Sequence, residues 1–96
     1  MPSADRKAVR ATISGKVQGV WYRGWTVARA TELGLDGWVR NRADGTVEAL
    51  FAGPVTHVDA MLRACEEGPP ASRVLAVRHE PAEDPGPIRF TQRETV

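Results

Sequence analysis

Apolar and polar residues alternate along several short segments of the chain, and this period of two predicts strands with one buried face. In the first segment Val9, Ala11 and Ile13 alternate with polar or charged neighbours up to Gly15. The pair Asp44-Gly45, a hairpin signal, separates the second segment from the third. The five predicted strands cover residues 9–14, 38–41, 47–51, 73–80 and 88–93.

Two longer segments repeat every three or four positions, which is the spacing of one face of a helix. The first helix ends before Gly34, and the second begins at Pro54, whose missing N–H would be unpaired there anyway. Gly68 and the two prolines after it end the second helix. The residues that share a face are Tyr22, Thr26, Ala30 and Leu33 in the first helix and Val55, Val58, Leu62 and Cys65 in the second.

The order of these elements is β-α-β-β-α-β with an extra C-terminal strand. Neither helix can bury its apolar stripe alone, but both can pack on one face of an antiparallel sheet. We therefore predict an α+β sandwich of the ferredoxin-like type, with two helices on one face of an antiparallel sheet. Residues 9–96 are expected to form this single domain, and residues 1–8 are expected to be flexible.

Charge and composition disfavour several classes of function. The 96 residues include 13 Lys or Arg and 12 Asp or Glu, so the net charge of +1 disfavours a nucleic-acid partner. No apolar run approaches the ~18 residues of a membrane span, and the N-terminus lacks the apolar core of a secretory signal. Cys65 is the one cysteine, and no Cys/His cluster could hold a metal. We expect a cytoplasmic monomer with no membrane partner, metal or cofactor.

The segment from Gly15 to Arg23, Gly-Lys-Val-Gln-Gly-Val-Trp-Tyr-Arg, carries the candidate chemistry. A turn that leads into a helix aims unpaired backbone N–H groups at one point, which suits a phosphate. Gly15 and Gly19 allow the tight bend, and the planar guanidinium of Arg23 can bind two phosphate oxygens at once. Alone, this pattern is equally compatible with an ordinary strand-to-helix turn bearing a surface arginine. It is not a Walker-type loop.

A second segment, from Gly37-Trp38-Val39-Arg40-Asn41 through Gly45 and Val47 to Gly53, changes this balance. The first segment matches G-x-V-Q-G-V-x-[FY]-R, and the second matches G-[FYW]-V-[KR]-N-x-x-x-G-x-V-x-x-x-x-x-G, at every fixed position. With both signatures, the sequence resembles the acylphosphatase family from about Val9 to Arg93. Trp21 is a bulky residue at a freely varying position of the first signature.

The resemblance implies hydrolysis of an acyl phosphate to a carboxylate and inorganic phosphate, without a metal. Arg23 would bind the phosphate, and Asn41 would position the attacking water. The turn formed by Gly15, Lys16, Val17, Gln18, Gly19 and Val20 would donate backbone N–H groups to the phosphoryl oxygens. The expected small-molecule partners are an acyl phosphate as substrate and inorganic phosphate as product and inhibitor.

Other interpretations of the function have less support in the sequence. Ferredoxin-like domains also bind RNA or regulatory ligands, but RNA binders of this shape carry aromatic residues on the open sheet face, and here they are few. The short chain argues against a domain detached from a larger maturation enzyme. His57 is expected at the surface, His79 near the end of a strand, and Cys65 in the core rather than as a nucleophile.

Overall fold

The computed structural model describes residues 5–96, which form one five-stranded sheet and two helices in the predicted order. The strands lie side by side in the order β4-β1-β3-β2-β5. The predicted ferredoxin-like α+β architecture is therefore confirmed. The elements are β1 (Arg6–Lys16), α1 (Tyr22–Glu32), β2 (Asp36–Asn41), β3 (Val47–Pro54), α2 (Val55–Glu67), β4 (Arg73–Pro81) and β5 (Thr91–Gln92).

The predicted antiparallel pairing holds for the first four strands, and β5 is the exception that makes the sheet mixed. β1, β2, β3 and β4 pair antiparallel with their neighbours, but β5 runs parallel to β2 and places Thr91 opposite Trp38. β5 is also shorter than the predicted 88–93. The backbone N–H of Ile88 donates to a side-chain oxygen of Asp36 at 3.1 Å, so this part of the segment does not join the ladder.

The first strand begins at Arg6, earlier than the alternation predicts. The Arg6 guanidinium lies 2.6 Å from a carboxylate oxygen of Asp84 and 2.7 Å from one of Asp36. Both carboxylates hold the start of β1 against the rest of the domain, so residues 6–8 of the segment expected to be flexible belong to the sheet. Residues 1–4 of that segment lie outside the described residues.

The core lies between the helices and one face of the sheet. Val9 pairs with Phe51, Ala11 with Ala49 and Ile13 with Val47, so the alternating apolar positions of β1 and β3 share this face. Burying a side chain such as Phe51 contributes about 1.5–3 kcal/mol to the free energy of unfolding. The helix residues buried against this face are Tyr22, Thr26, Ala30, Val58, Met61, Leu62 and Cys65.

A buried hydrogen bond joins the two helices. The Tyr22 hydroxyl donates to the carbonyl oxygen of Cys65 at 2.6 Å, and burial raises the pKa of Tyr22 well above its ordinary value. Burial likewise raises the pKa of the Cys65 thiol to about 12, which suits a core residue and not a nucleophile. Pro54 ends β3 and directly precedes α2, whereas the sequence predicts it as the first helical residue.

The topology brings the ends of two strands together. β1 and β2 both run antiparallel to β3, and therefore parallel to each other. Val47 of β3 lies opposite Ile13 near the end of β1 and opposite Asn41 at the end of β2. The turn that follows β1 and the side chain of Asn41 consequently meet at one end of the sheet.

Candidate functional site

The turn between β1 and α1 depends on two glycines in conformations that other residues rarely adopt. Gly15 has φ 120° at an irregularity in the β1–β4 pairing, and a Cβ there would collide with the backbone oxygen of Arg73. Gly19 has φ 75°, and a Cβ there would meet no other atom. Glycine is therefore favoured at this position by its backbone conformation and not by lack of space. Together they let the backbone leave the sheet edge and turn into α1.

This turn exposes a run of backbone donors. Within the described part of the chain, no backbone N–H from residue 17 to residue 24 donates to a backbone carbonyl. Trp21 precedes the helix without a side-chain cap, and the first turn of α1 contains no acidic residue. The positive end of the helix dipole adds to these donors. The turn can therefore bind an anion with several N–H groups at once.

Arg23 adds the one full charge at this site. It lies half-buried in the first turn of α1 and lines a cavity of about 140 Å³ beside the turn. Of the residues that the structure describes, none that lines this cavity carries a carboxylate. Among residues 5–96 the Arg23 guanidinium forms no ion pair, whereas five of the other ten arginines do. Its charge is therefore available to a bound anion.

Asn41 lines the same cavity from the end of β2. Its backbone oxygen accepts a hydrogen bond of 3.1 Å from the N–H of Val96, and the Val96 oxygen accepts one from Ala43. These bonds and the β3 ladder hold the Asn41 backbone from both sides. Its side-chain oxygen Oδ1 is buried and finds no hydrogen-bond partner within residues 5–96. A buried acceptor left unpaired is costly, and it is suited to accept from a ligand or water.

The Gln18 side chain connects the turn to the loop after β2. Its Nε2 donates to the carbonyl oxygens of Arg42 and Thr46, each at 2.8 Å. Arg42 directly follows Asn41, and the Arg42 N–H also donates to the Thr46 oxygen at 2.9 Å. Gln18 therefore fixes the distance between the donor turn and the residues around Asn41.

The structure brings together only part of the predicted site. Val17, Gln18, Gly19, Arg23 and Asn41 line the cavity, whereas Gly15, Lys16 and Val20 do not. Gly15 shapes the bend, and Lys16 is the exposed last residue of β1, opposite Arg73. Four further residues line the cavity: Trp21, Tyr22, Gly24 and Gln92. Gln92 had no sequence signal, because it reaches the cavity through the parallel pairing of β5.

A larger cavity of about 530 Å³ lies on the sheet face that the helices leave open, and its charges are largely paired. Glu48, 5% exposed, accepts from Arg40 Nε at 2.7 Å and from Arg42 Nη1 at 3.2 Å. Burial raises the pKa of Glu48, but the two guanidinium groups outweigh it, so the pKa lies below its ordinary value. Because these arginines are committed to Glu48, this face is the weaker candidate for an anion site.

The remaining titratable candidates lie elsewhere. His57 and His79 are exposed, and neither lines the cavity beside Arg23. Among residues 5–96, no three His, Cys, Asp or Glu side chains are arranged to hold a metal ion. Over the same residues, no helix is long and apolar enough to cross a membrane.

Comparisons with known proteins point to one family. The family model for acylphosphatase matches residues 9–92. An acylphosphatase of Rhodospirillum rubrum is 59% identical over 94% of this chain and 99% of its own length. The structure of an acylphosphatase from Coxiella burnetii is similar with TM-score 0.89 and 34% identity, over 93% of this chain and 94% of the other. The crystal structure of acylphosphatase from Bacillus subtilis is similar with TM-score 0.86 and 33% identity, over 90% of this chain and 97% of the other.

Proposed function

Because the chain belongs to the acylphosphatase family, we propose that its donor turn and Arg23 bind the phosphoryl group while Asn41 positions the attacking water. The chain hydrolyses acyl phosphates, which are mixed anhydrides of a carboxylic acid and phosphate, to a carboxylate and inorganic phosphate. The proposal concerns which residues of the cavity perform each part of this reaction.

The phosphoryl oxygens are bound by two kinds of donor. The unpaired N–H groups of those residues of the turn and the first turn of α1 that line the cavity surround the anion, and the Arg23 guanidinium offers two parallel N–H donors from one side. The transition state of phosphoryl transfer is largely dissociative and spreads charge over the three equatorial oxygens. Donors fixed by the backbone stabilise this charge without reorganising during the reaction. Gly15, Lys16 and Val20 contribute by shaping the turn, and not by lining the cavity.

The observation that carries the proposal is the unpaired, buried Oδ1 of Asn41 in the cavity that Arg23 also lines. An amide oxygen can accept a hydrogen from water, which turns a lone pair of the water oxygen toward phosphorus. An amide is also uncharged, so it does not repel the phosphate dianion as a carboxylate would. Holding the water in line with the bond that breaks removes much of the entropic cost of the reaction.

The leaving group needs little assistance from the protein. The P–O bond to the acyl oxygen breaks, the water oxygen forms the new P–O bond, both protons of the water remain on the phosphate product, and the acyl group departs as a carboxylate. A carboxylate is a stable anion, so no general acid is required at this step. Inorganic phosphate keeps the charge that the donors bind, and it therefore inhibits by occupying the same site.

We also propose that the protein acts as a cytoplasmic monomer, without nucleic acid, membrane, metal or cofactor. The net charge of +1 gives no basic excess that would attract a nucleic acid. The single buried thiol, Cys65, fits a reducing compartment. The molar mass in solution, measured by light scattering, tests the oligomeric state against the 10.5 kDa of one chain.

The role of Arg23 is tested by Arg23→Lys, which keeps the charge and loses the two-pronged donor. We expect kcat/KM for acetyl phosphate to fall by roughly 30-fold or more, and inhibition by phosphate to weaken, as for a lost charge-assisted bond of about 2 kcal/mol. Arg29→Lys is the matched control on the same helix, because Arg29 is exposed and paired with Glu32. The proposal fails if Arg23→Lys unfolds the protein while its folded fraction keeps full activity.

A further inference from the structure

Trp21 is an exposed aromatic residue at the edge of the phosphate cavity. It is 66% exposed, and it lines the cavity together with Arg23 and Asn41. The other large apolar residues that stand exposed in the described chain are Leu75, Ile88 and Val96, and none of these lines the cavity. An indole ring in water at the mouth of an anion site offers a large apolar face to whatever the anion carries.

The backbone of Trp21 has a conformation that is strained for a bulky residue. Trp21 has φ 68° and ψ 22°, and within residues 5–96 it is the one residue other than glycine with positive φ. A bulky residue is a genuine outlier in this region, which glycine or asparagine would occupy more easily. Strain of this kind persists where the surrounding structure enforces it, and it concentrates at ligand sites.

The ring is also seated against the helix. A Cβ at Gly24 would collide with Nε1 and Cδ1 of the Trp21 indole, so the ring lies directly on the backbone of Gly24. Gly24 lies inside α1, where glycine is otherwise unfavourable. This contact restricts the rotation of the exposed ring, so less side-chain freedom is lost when a second ring stacks on it.

The size of the cavity places the acyl group next to this ring. About 140 Å³ is well below the roughly 300–1,000 Å³ that encloses a drug-sized ligand. With the phosphoryl group bound by the turn and Arg23, the acyl group extends to the mouth of the cavity. Among residues 5–96, Trp21 is the one exposed large apolar residue that lines this cavity, so its indole is the apolar surface that the acyl group meets there.

We propose that Trp21 selects the substrate, and that the preferred acyl phosphates carry a planar aromatic acyl group that stacks on its indole. The inference rests on the proposed function, because it assumes that the phosphoryl group is bound by the turn and Arg23. Offset stacking of two rings raises kcat/KM for an aromatic substrate by about two- to tenfold over an acyl group too small to reach the indole.

The test compares benzoyl phosphate with acetyl phosphate in the full chain. Trp21→Asn removes the ring and keeps a residue that accepts positive φ, whereas Trp21→Phe keeps an aromatic face. The quantity measured is the ratio of kcat/KM for benzoyl phosphate to that for acetyl phosphate. Comparing this ratio between variants cancels the different intrinsic reactivities of the two anhydrides. Ile88→Asn is the control, an exposed apolar residue away from the cavity.

The proposal predicts that Trp21→Asn lowers this ratio about fivefold, mainly through a higher KM for benzoyl phosphate, and that Trp21→Phe keeps most of it. Ile88→Asn leaves the ratio at the wild-type value. A ratio unchanged in Trp21→Asn would overturn the proposal, even if both activities fell together. If the wild-type protein hydrolyses neither substrate, the proposed function itself fails, and that result is distinct from an unchanged ratio.

Discussion

The Nε2 atom of Gln18 lies 2.8 Å from the carbonyl oxygen of Arg42, the residue that follows Asn41. The same nitrogen also donates to Thr46, so one side chain spans from the phosphate turn to both ends of the loop after β2. In the proposed function, the turn before α1 and Arg23 bind phosphate, whereas Asn41, at the end of β2, positions the water. Gln18 links these two parts of the chain directly, because its amide nitrogen donates to two carbonyl oxygens at once.

Gln18→Ala is expected to lower the free energy of unfolding by about 1–3 kcal/mol, because it leaves two part-buried carbonyl oxygens without their donor. It should also lower kcat more than it weakens phosphate inhibition, since the Arg42 loop and Asn41 are no longer fixed against the turn. Urea denaturation and steady-state kinetics measure the two effects.

Gln18→Glu is the companion variant. An ionised carboxylate would face the same two carbonyls and cannot donate, whereas the protonated carboxyl can donate to one of them. Its stability relative to Gln18→Ala should therefore rise as the pH falls through the range where the new carboxyl is protonated. If the difference in stability between the two variants does not change with pH, Gln18 does not act as the donor described.

Glu48 makes stability depend on pH in the acid range. The pKa of Glu48 is lower in the folded protein than its ordinary value of 4.5, so its contribution is complete above that value and is lost as the pH falls below it. Asp84 acts in the same direction: its hydrogen bond from Arg6 lowers its pKa to about 2. The free energy of unfolding should therefore decrease between about pH 4.5 and pH 2.

Glu48→Gln should reduce this acid-range slope and lower stability at pH 7 by roughly 1–3 kcal/mol, because Arg40 and Arg42 lose their shared charged partner. Glu32→Gln is the control, since Glu32 is exposed and pairs only with Arg29 along one helix, an interaction worth about 0.3–0.5 kcal/mol. Urea denaturation at several pH values measures both. Equal slopes for Glu48→Gln and the wild-type protein would refute the assignment.

Much of the fold follows from local patterns, and the exceptions have physical causes. Val9, Ala11 and Ile13 alternate because one face of β1 is buried, and the structure keeps that register. The parallel direction of β5 could not be predicted from local patterns. The segment before β5 is fixed by a hydrogen bond from the Ile88 N–H to Asp36, and these two residues are far apart in the sequence. The ion pairs of Glu48 with Arg40 and Arg42 could not be predicted either, because alternation places Glu48 on the face away from the core and does not show which side chains meet there.

Activity is expected to persist without divalent metal ions. In the proposed site, Arg23 and the backbone N–H groups of the cavity supply the positive charge that the phosphoryl group requires. Exhaustive dialysis against EDTA should leave kcat for acetyl phosphate unchanged, and added Mg²⁺ should not raise it. Loss of activity in EDTA followed by recovery with Mg²⁺ would show that a metal ion takes part.

The turnover number should vary little between about pH 5 and 8, because an amide does not titrate and a guanidinium stays protonated there. Neither His57 nor His79 lines the cavity, so neither is expected to supply a proton. A kcat profile for acetyl phosphate over this range checks the point, with His57→Ala and His79→Ala as companions. A bell centred near pH 6.5 that disappears in one of these variants would assign the chemistry to histidine.

The part of the candidate site that lies in one continuous segment could be predicted from the sequence, whereas the contacts between distant segments could not. The turn and Arg23 share one continuous segment, so their proximity follows from the chain itself. Asn41 is brought to them because β1 and β2 run in the same direction on either side of β3. The seat of the Trp21 ring on Gly24 depends on side-chain packing, which the sequence does not specify.

Asn41→Ala tests the central claim, that phosphate binding and water positioning belong to different residues. The substitution removes the unpaired Oδ1 and keeps the backbone oxygen that accepts from Val96, so the fold should be retained. We expect kcat for acetyl phosphate to fall by about 10²-fold or more, while the inhibition constant of inorganic phosphate stays close to the wild-type value. If turnover and phosphate inhibition are lost together in a folded variant, Asn41 belongs to the phosphate site and the account is contradicted.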